Sequence, residues 1–136
     1  MKVTGILETA LHVENLERAS DFYQRLFGFE IMAQDKRLCA FNVAGRDVLL
    51  LFKRGESSAP MPVPGGIIPP HDGQGRLHIA FSTAAADLPG WRERLAELGV
   101  AVESTVDWPE GGHSLYFRDP DQHLLELATP GIWPNY

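Results

Sequence analysis

The chain is poor in the features that mark secreted, membrane and nucleic-acid-binding proteins. Its single cysteine, Cys39, cannot form an intramolecular disulfide, and its apolar neighbours predict a buried thiol in a reducing compartment. Lys and Arg number 12 against 18 Asp and Glu, so no basic cluster could displace counterions from a nucleic acid. No segment approaches the ~20 apolar residues that span a bilayer, and no secretory signal begins the chain. We therefore expect a cytoplasmic protein without nucleic-acid or membrane partners.

Length and composition describe an ordinary globular domain. The 136 residues can bury a core without disulfide or structural-metal staples, and the hydrophobic and charged fractions of 44% and 22% are close to globular averages. The fold therefore does not need a metal ion for its stability, and any ion that the protein binds can act in catalysis.

The first half of the chain predicts strand, helix and three further strands. Residues 6–13 favour a strand, and Asn15 caps a helix whose apolar residues recur at helical spacing until Gly28. The strands that follow are predicted at 29–33, 38–43 and 47–53.

The second half repeats this order. Residues 77–83 predict a strand, and Asp87 caps a helix that ends at Gly99. Three more strands are predicted at 100–106, 114–117 and 123–128, with a turn at 119–122. Gly28 and Gly99 end equivalent helices and lie about 70 residues apart, which is the spacing expected of a duplicated unit. The pattern indicates an α+β fold made of two βαβββ modules.

A segment rich in Pro, Gly and Ser separates the two halves. A loop of this length inside a compact domain is usually a lid, a binding loop or a linker; we favour a lid, and a plain linker remains the alternative. The predicted organisation is a single domain over 1–136, with module 1 at 5–53, the lid or linker at 54–75, module 2 at 76–129 and a tail at 130–136.

Three polar side chains interrupt strands that are otherwise largely apolar: Glu8, His78 and Glu126. A buried carboxylate is costly unless it is paired or bound to a metal, and convergence on one cation would satisfy all three groups. Mixed imidazole and carboxylate ligands suit Mn, Fe, Ni or Zn rather than Ca. Periodicity alone leaves a second interpretation open, in which Glu126 faces solvent at a sheet edge and His78 is a core histidine with its own partners.

Several segments carry a family resemblance. The first strand and helix, with Phe22-Tyr23 and Leu26-Phe27-Gly28, resemble the opening of a vicinal oxygen chelate protein; 75–81 and the Asp119-Pro120-Asp121 turn followed by Glu126 resemble its second half. The superfamily includes glyoxalase I, extradiol dioxygenases, fosfomycin-modifying enzymes and bleomycin resistance proteins. The resemblance implies that the modules form a cupped eight-stranded mixed sheet.

The resemblance also implies a metal site. It makes His78 and Glu126 ligands of one divalent metal ion and puts Glu8 in the first ligand place, where the family most often has His and sometimes Gln. His12 lies four residues further along the same strand, roughly 13 Å away, which is too far to share the ion with Glu8. Glyoxalase I-like enzymes carry a further carboxylate in the fourth strand, whereas residues 48–52 of this chain are all apolar. This difference argues against glyoxalase I activity itself.

The expected function is that of a metal-dependent enzyme, a glyoxalase-like lyase, isomerase or transferase or a dioxygenase. Its small substrate would chelate the metal through adjacent oxygens, and one His with two carboxylates disfavours ring-cleaving dioxygenation. The alternative is a metal-free ligand-binding protein like the bleomycin resistance proteins, which generally lack the metal residues. A homodimer is expected from the resemblance.

Other side chains have possible roles near the predicted cavity. Tyr116 either donates a hydrogen bond to substrate or is an ordinary core tyrosine, and His12 is either a general base at the cavity mouth or a surface or capping residue. His71 is a candidate lid residue, while His113 and His123 are predicted to be exposed at strand ends. Trp108 is predicted to pack in the core or to wall an apolar pocket.

Overall fold

A computed structural model describes residues 1–136, which divide into two compact units, an N-terminal unit (Met1–Gln74) and a C-terminal unit (Gly75–Tyr136). The N-terminal unit contains β1 (Glu8–Val13), α1 (Leu16–Phe27), β2 (Glu30–Gln34), β3 (Leu38–Val43), β4 (Asp47–Lys53), β5 (Met61–Val63) and β6 (Gly66–Ile68). The C-terminal unit contains β7 (His78–Ser82), a short 3-10 helix (Ala85–Asp87), α2 (Leu88–Glu97), β8 (Ser104–Asp107), β9 (His113–Arg118) and β10 (Leu124–Ala128). Neither α-helix has the length and apolar composition that a membrane span requires.

The N-terminal unit is built on a four-stranded mixed sheet in the order β1-β4-β3-β2, with β1 parallel to β4 and the other neighbours antiparallel. One face carries the core, because alternate residues point to the same side of a strand. The fully or nearly buried side chains on that face are Leu11, Val13, Cys39, Phe41, Leu49 and Leu51.

Helix α1 packs over β3 and β4 and has the ends that its sequence predicts. The Asn15 Oδ1 atom accepts the backbone N–H of Arg18 at 2.9 Å, which satisfies one of the free donors of the first turn. Gly28 closes the helix at φ 70°, a left-handed conformation that favours glycine. The buried residues, which include Leu16, Tyr23 and Leu26, lie at helical spacing.

The C-terminal unit has the same arrangement, with the order β7-β10-β9-β8 and β7 parallel to β10. Leu115, Phe117, Leu125 and Leu127 form its buried face together with Leu95 of α2. The two βαβββ modules predicted from the sequence are therefore confirmed. The main difference is β8, which begins at Ser104 rather than at residue 100.

The prediction that His123 is exposed is wrong. His123 is 1% exposed, and its Nδ1 atom accepts the backbone N–H of Leu77 at 3.0 Å. The preceding turn causes this burial: Asp119 Oδ1 accepts the N–H groups of Asp121 and His123 at 2.9 and 2.8 Å, which directs the chain inward before β10.

The segment 54–75 contains a hairpin that the sequence analysis did not predict. Strands β5 and β6 pair from Met61 with Ile68 to Val63 with Gly66, across a turn at Pro64 and Gly65. Proline normally argues against a strand, but a two-stranded ribbon leaves one edge of each strand outside the ladder, where a missing N–H costs nothing. The Pro-Gly pair between two short apolar runs was the available signal.

We predict that Cys39 is unreactive in the native protein. It is fully buried, and burial raises the pKa of its thiol to about 11, so about one thiol in a thousand is ionised near pH 8. A disulfide reagent such as Ellman's should therefore give only trace reaction before unfolding and one thiol per chain in denaturant. A Cys39→Ser variant is the blank, and rapid stoichiometric labelling of the native protein would contradict this placement.

Candidate metal centre

His78 and Glu126 lie on one face of the C-terminal sheet. The register pairs His78 with Leu124 and Ala80 with Glu126, so the two polar side chains are diagonal neighbours on adjacent parallel strands. The His78 Nε2 atom lies 3.4 Å from Glu126 Oε2. The His78 side chain is 49% exposed and that of Glu126 only 9%, so the pair has one open and one buried side.

The hydrogen bonds of His78 determine which ring nitrogen is available. Its Nδ1 atom lies 3.0 Å from the backbone oxygen of Leu124, and because a carbonyl can only accept, Nδ1 carries the proton. In a neutral ring Nε2 then holds a lone pair, and this lone pair faces a carboxylate oxygen. Two acceptors at this separation require a proton or a cation between them, so the pair fits a metal ion.

The two oxygens of Glu126 have different environments. Oε1 accepts hydrogen bonds from Ser114 Oγ at 2.5 Å and from the Tyr116 hydroxyl at 3.0 Å. Trp108 Nε1–H donates in turn to Ser114 Oγ at 2.8 Å, which directs the serine proton toward Glu126. With Oε1 occupied in this way, Oε2 is the atom left for a cation beside His78.

Tyr116 is a hydrogen-bond donor in this network. Burial raises the pKa of its hydroxyl, and the charge of Glu126 and the hydrogen bond to it act in the same direction, while a hydrogen bond with Ser114 opposes them. The phenol is therefore protonated near neutral pH. The structure thus gives Tyr116 a polar partner, which the interpretation as an ordinary core tyrosine did not anticipate.

Glu8 occupies the corresponding place in the N-terminal unit. Glu8 begins β1 as His78 begins β7, and the residues two positions further on, Ala10 and Ala80, pair with Leu50 and Glu126 respectively. The N-terminal module thus has Leu50 at the position where the C-terminal module has Glu126. This agrees with the apolar composition of the predicted fourth strand. Neither unit by itself holds a group of three or more His, Cys, Asp or Glu side chains placed for a metal ion.

Glu8 also lines a cavity of about 470 Å³ that lies within the N-terminal unit. One wall is the sheet face opposite the core, and the other wall is the segment from Glu56 to His71, which we call the roof loop. The full lining consists of Glu8, Ala10, Arg37, Leu38, Leu50, Phe52, Glu56, Ser57, Ala59, Met61, Ile68, Pro69 and His71. Arg37 could not be predicted as a lining residue, because it lies in a short turn between β2 and β3 that carries no periodic signal.

His12 and His71 lie together beside Phe52. The ring centroid of His71 is 4.6 Å from that of Phe52 and 5.5 Å from that of His12. His12 is 4% exposed, so the interpretation of His12 as a surface residue is wrong. Its role as a general base stays a prediction, as does the membership of His71 in a lid.

The remaining candidates have structural partners. His113 Nδ1 lies 2.6 Å from Asp107 Oδ1 across the β8–β9 ladder, and His113 is half-exposed, as predicted. Trp108 contributes its indole N–H to Ser114 rather than acting only through its apolar surface. Spacing could place Ser114 and Tyr116 on the Glu126 face but could not identify the indole donor, because Trp108 follows the strand.

Comparisons with known proteins agree with this architecture. The profile of the Glyoxalase/Bleomycin resistance protein/Dioxygenase superfamily matches residues 5–127. Metallothiol transferase FosB of Bacillus licheniformis is 30% identical over 133 residues, which cover 97% of this chain and 79% of that protein.

Solved structures extend the agreement to three dimensions. A crystal structure of lactoylglutathione lyase from Agrobacterium tumefaciens has a TM-score of 0.89 and 33% identity and covers 98% of this chain and 99% of its own. The fosfomycin resistance protein FosX from Listeria monocytogenes has a TM-score of 0.72 and 26% identity, with 96% and 97% covered. The prediction of an enzyme of the vicinal oxygen chelate class is confirmed at that level, since a transferase and a lyase are among these relatives. The chain belongs to the Glyoxalase/Bleomycin resistance protein/Dioxygenase superfamily.

Proposed function

We propose that this protein is a metal-dependent vicinal oxygen chelate enzyme in which Glu8, His78 and Glu126 hold one divalent ion. The observation that carries the proposal is the facing pair of acceptors, His78 Nε2 and Glu126 Oε2, at 3.4 Å. Glu8 joins them by its equivalent strand position and by its place in the cavity wall. The substrate is a small molecule that chelates the ion through adjacent oxygens.

The ligand set favours Mn, Fe, Ni or Zn. Imidazole nitrogen selects these ions over Ca and Mg, and three protein ligands leave coordination places for substrate. When bound, the ion would supply Lewis-acid polarisation of the chelating oxygens. A neutral His and two carboxylates offset the charge of a divalent cation, so an anionic substrate oxygen can still enter.

The chain's own residues limit the reaction type. Tyr116 stays protonated and holds Glu126 Oε1, so it serves as a donor and not as a base. Leu50 stands at the position equivalent to Glu126, which leaves the N-terminal unit without a second strand carboxylate for proton transfer. The missing carboxylate argues against glyoxalase I activity itself, and one His with two carboxylates argues against ring cleavage by the two-His, one-carboxylate chemistry of iron oxygenases. We therefore favour another lyase, isomerase or transferase reaction of the family.

The ligand set predicts the effect of three substitutions on metal binding. Wild type should retain about one equivalent of Zn²⁺ after gel filtration, while Glu8→Ala, His78→Ala and Glu126→Ala should each lose more than about 100-fold in affinity. Even removal of a group that only orients a ligand costs about 10- to 100-fold, so direct ligands should cost more. Elemental analysis and competition with a chromophoric chelator give the two readouts.

His113→Ala is the matched control for this experiment. His113 is also a half-exposed strand histidine with a carboxylate partner, Asp107, but it lies at the outer end of its ladder. Its removal should leave metal binding unchanged. A wild type that retains no metal yet binds small ligands would favour the metal-free alternative, and wild-type affinity in the Glu8 variant alone would remove Glu8 from the site.

A separate prediction concerns Ser114, which touches Glu126 but not the proposed ion. Ser114→Ala removes one donor from Oε1, so the carboxylate is less firmly oriented, and metal affinity should fall about 10- to 100-fold. Ser104→Ala, on the exposed neighbouring strand, should change neither affinity nor the free energy of unfolding by more than about 0.5 kcal/mol. Unchanged metal affinity in Ser114→Ala would show that the hydrogen bond has no role in orienting the ligand.

The sheets also support the expected homodimer. Strand β1 lies at the edge of the N-terminal sheet and β7 at the edge of the C-terminal sheet, and edge strands offer a row of backbone groups for pairing. In the proposed dimer such pairing would close a half-barrel, either within one chain or by exchange between two chains. Light scattering should give a mass about twice the 15.1 kDa of the chain. A monomer mass at micromolar concentration would contradict the dimer but not the metal site.

A further inference from the structure

We propose that the cavity of the N-terminal unit binds an apolar body of the substrate, so that the substrate class is a small molecule with adjacent oxygens at one end and an uncharged aromatic or alkyl group at the other. This inference rests on the proposed function only for the oxygen end. The apolar end follows from the cavity itself, which can be tested without metal.

The cavity has the size and chemistry of a small-molecule site. Its volume of about 470 Å³ lies within the range of about 300–1,000 Å³ that is usual for ligand pockets. Most of its lining is apolar, and the apolar side chains come from both walls: Ala10, Leu38, Leu50 and Phe52 from the sheet, and Ala59, Met61, Ile68 and Pro69 from the roof loop. An occupant would therefore contact apolar surface on two sides.

The two ends of the roof loop are bonded to each other, and the loop contacts the rest of the unit at His71 and Met61. Ser57 Oγ donates to the His71 backbone oxygen at 2.8 Å, and the His71 N–H donates to the Ser57 oxygen at 2.9 Å. The His71 ring rests against Phe52, and the Arg37 guanidinium contacts Met61 Sδ. A roof held in this way keeps the cavity formed in the absence of ligand, which reduces the entropy lost on binding.

The charged groups of the lining argue against an anionic body. Glu8 and Glu56 contribute two carboxylates, whereas the single arginine, Arg37, forms an ion pair with Asp35 at 3.3 Å. A phosphate or carboxylate deep in the cavity would have to displace that pair while lying near two negative side chains. Glu8 is instead suited to the oxygen end, through the ion that it helps to hold.

The test compares catechol with 4-butylcatechol, which present the same adjacent oxygens with and without an alkyl body. Zn²⁺-loaded wild type should bind 4-butylcatechol at least about tenfold more tightly by calorimetry, because burial of only two methylene groups suffices for that ratio. Ala10→Phe fills the cavity and should bring the ratio of the two dissociation constants close to one. Ala33→Phe, an exposed position on β2 outside the cavity, should keep the wild-type ratio.

A second measurement separates this inference from the proposed function. Metal-free wild type should bind 4-butylphenol, which lacks the adjacent oxygens, and Ile68→Asp in the roof loop should weaken that binding at least about tenfold. If catechol binding requires metal but the butyl group adds nothing, the cavity proposal is overturned and the metal proposal stands. If 4-butylphenol binds as expected but no ligand responds to metal, the cavity proposal stands and the metal proposal fails.

Discussion

The carboxylate of Glu126 is the group on which the site depends, because it is buried in a strand that is otherwise apolar and still needs partners for both oxygens. Ser114 and Tyr116 satisfy Oε1, and Oε2 faces the lone pair of His78. A carboxylate without these donors would be costly to bury, and a histidine with its other tautomer would present a proton instead of a lone pair. The strand register, the Leu124 carbonyl and the serine together leave two acceptors facing each other, which is the arrangement that the proposed cation site requires.

Duplication of one module explains why the two units differ in what they contribute. Glu8 and His78 hold equivalent places at the start of β1 and β7, but Leu50 stands where the other module has Glu126. The C-terminal unit therefore supplies most of the polar chemistry, while the corresponding face of the N-terminal unit is apolar and lies under the roof loop. The division follows from a few residues on the sheet faces opposite the core, since the core faces of both sheets are built from similar Leu and Phe side chains.

Much of the fold could be predicted from the sequence, because the strand period of two and the capped helix are local properties. The same period puts Ser114 and Tyr116 on one face of their strand, and β3, β4 and α1 have the predicted bounds. The pairing of Tyr116 with Glu126 is a property of the ladder that the structure adds. Non-local contacts were the part that could not be predicted. His123 is buried because Asp119 turns the chain inward and Leu77, 46 residues away, supplies a hydrogen-bond donor. The hairpin β5–β6 forms over a sheet, and the composition of the segment does not reveal where that sheet lies.

The environments of the three proposed ligands also determine what happens without metal. Glu8 is exposed and can be hydrated, and His78 keeps its bond to the Leu124 carbonyl with its side chain half-exposed. Only Glu126 is buried, and it has two donors from its own sheet. Oε1 keeps these donors without an ion, and a proton shared with His78 Nε2 can satisfy Oε2 in place of a cation. The fold therefore does not need an ion as a structural staple, in contrast to small zinc-dependent domains. An ion held by the three proposed ligands could therefore exchange without loss of the core, as a catalytic metal requires.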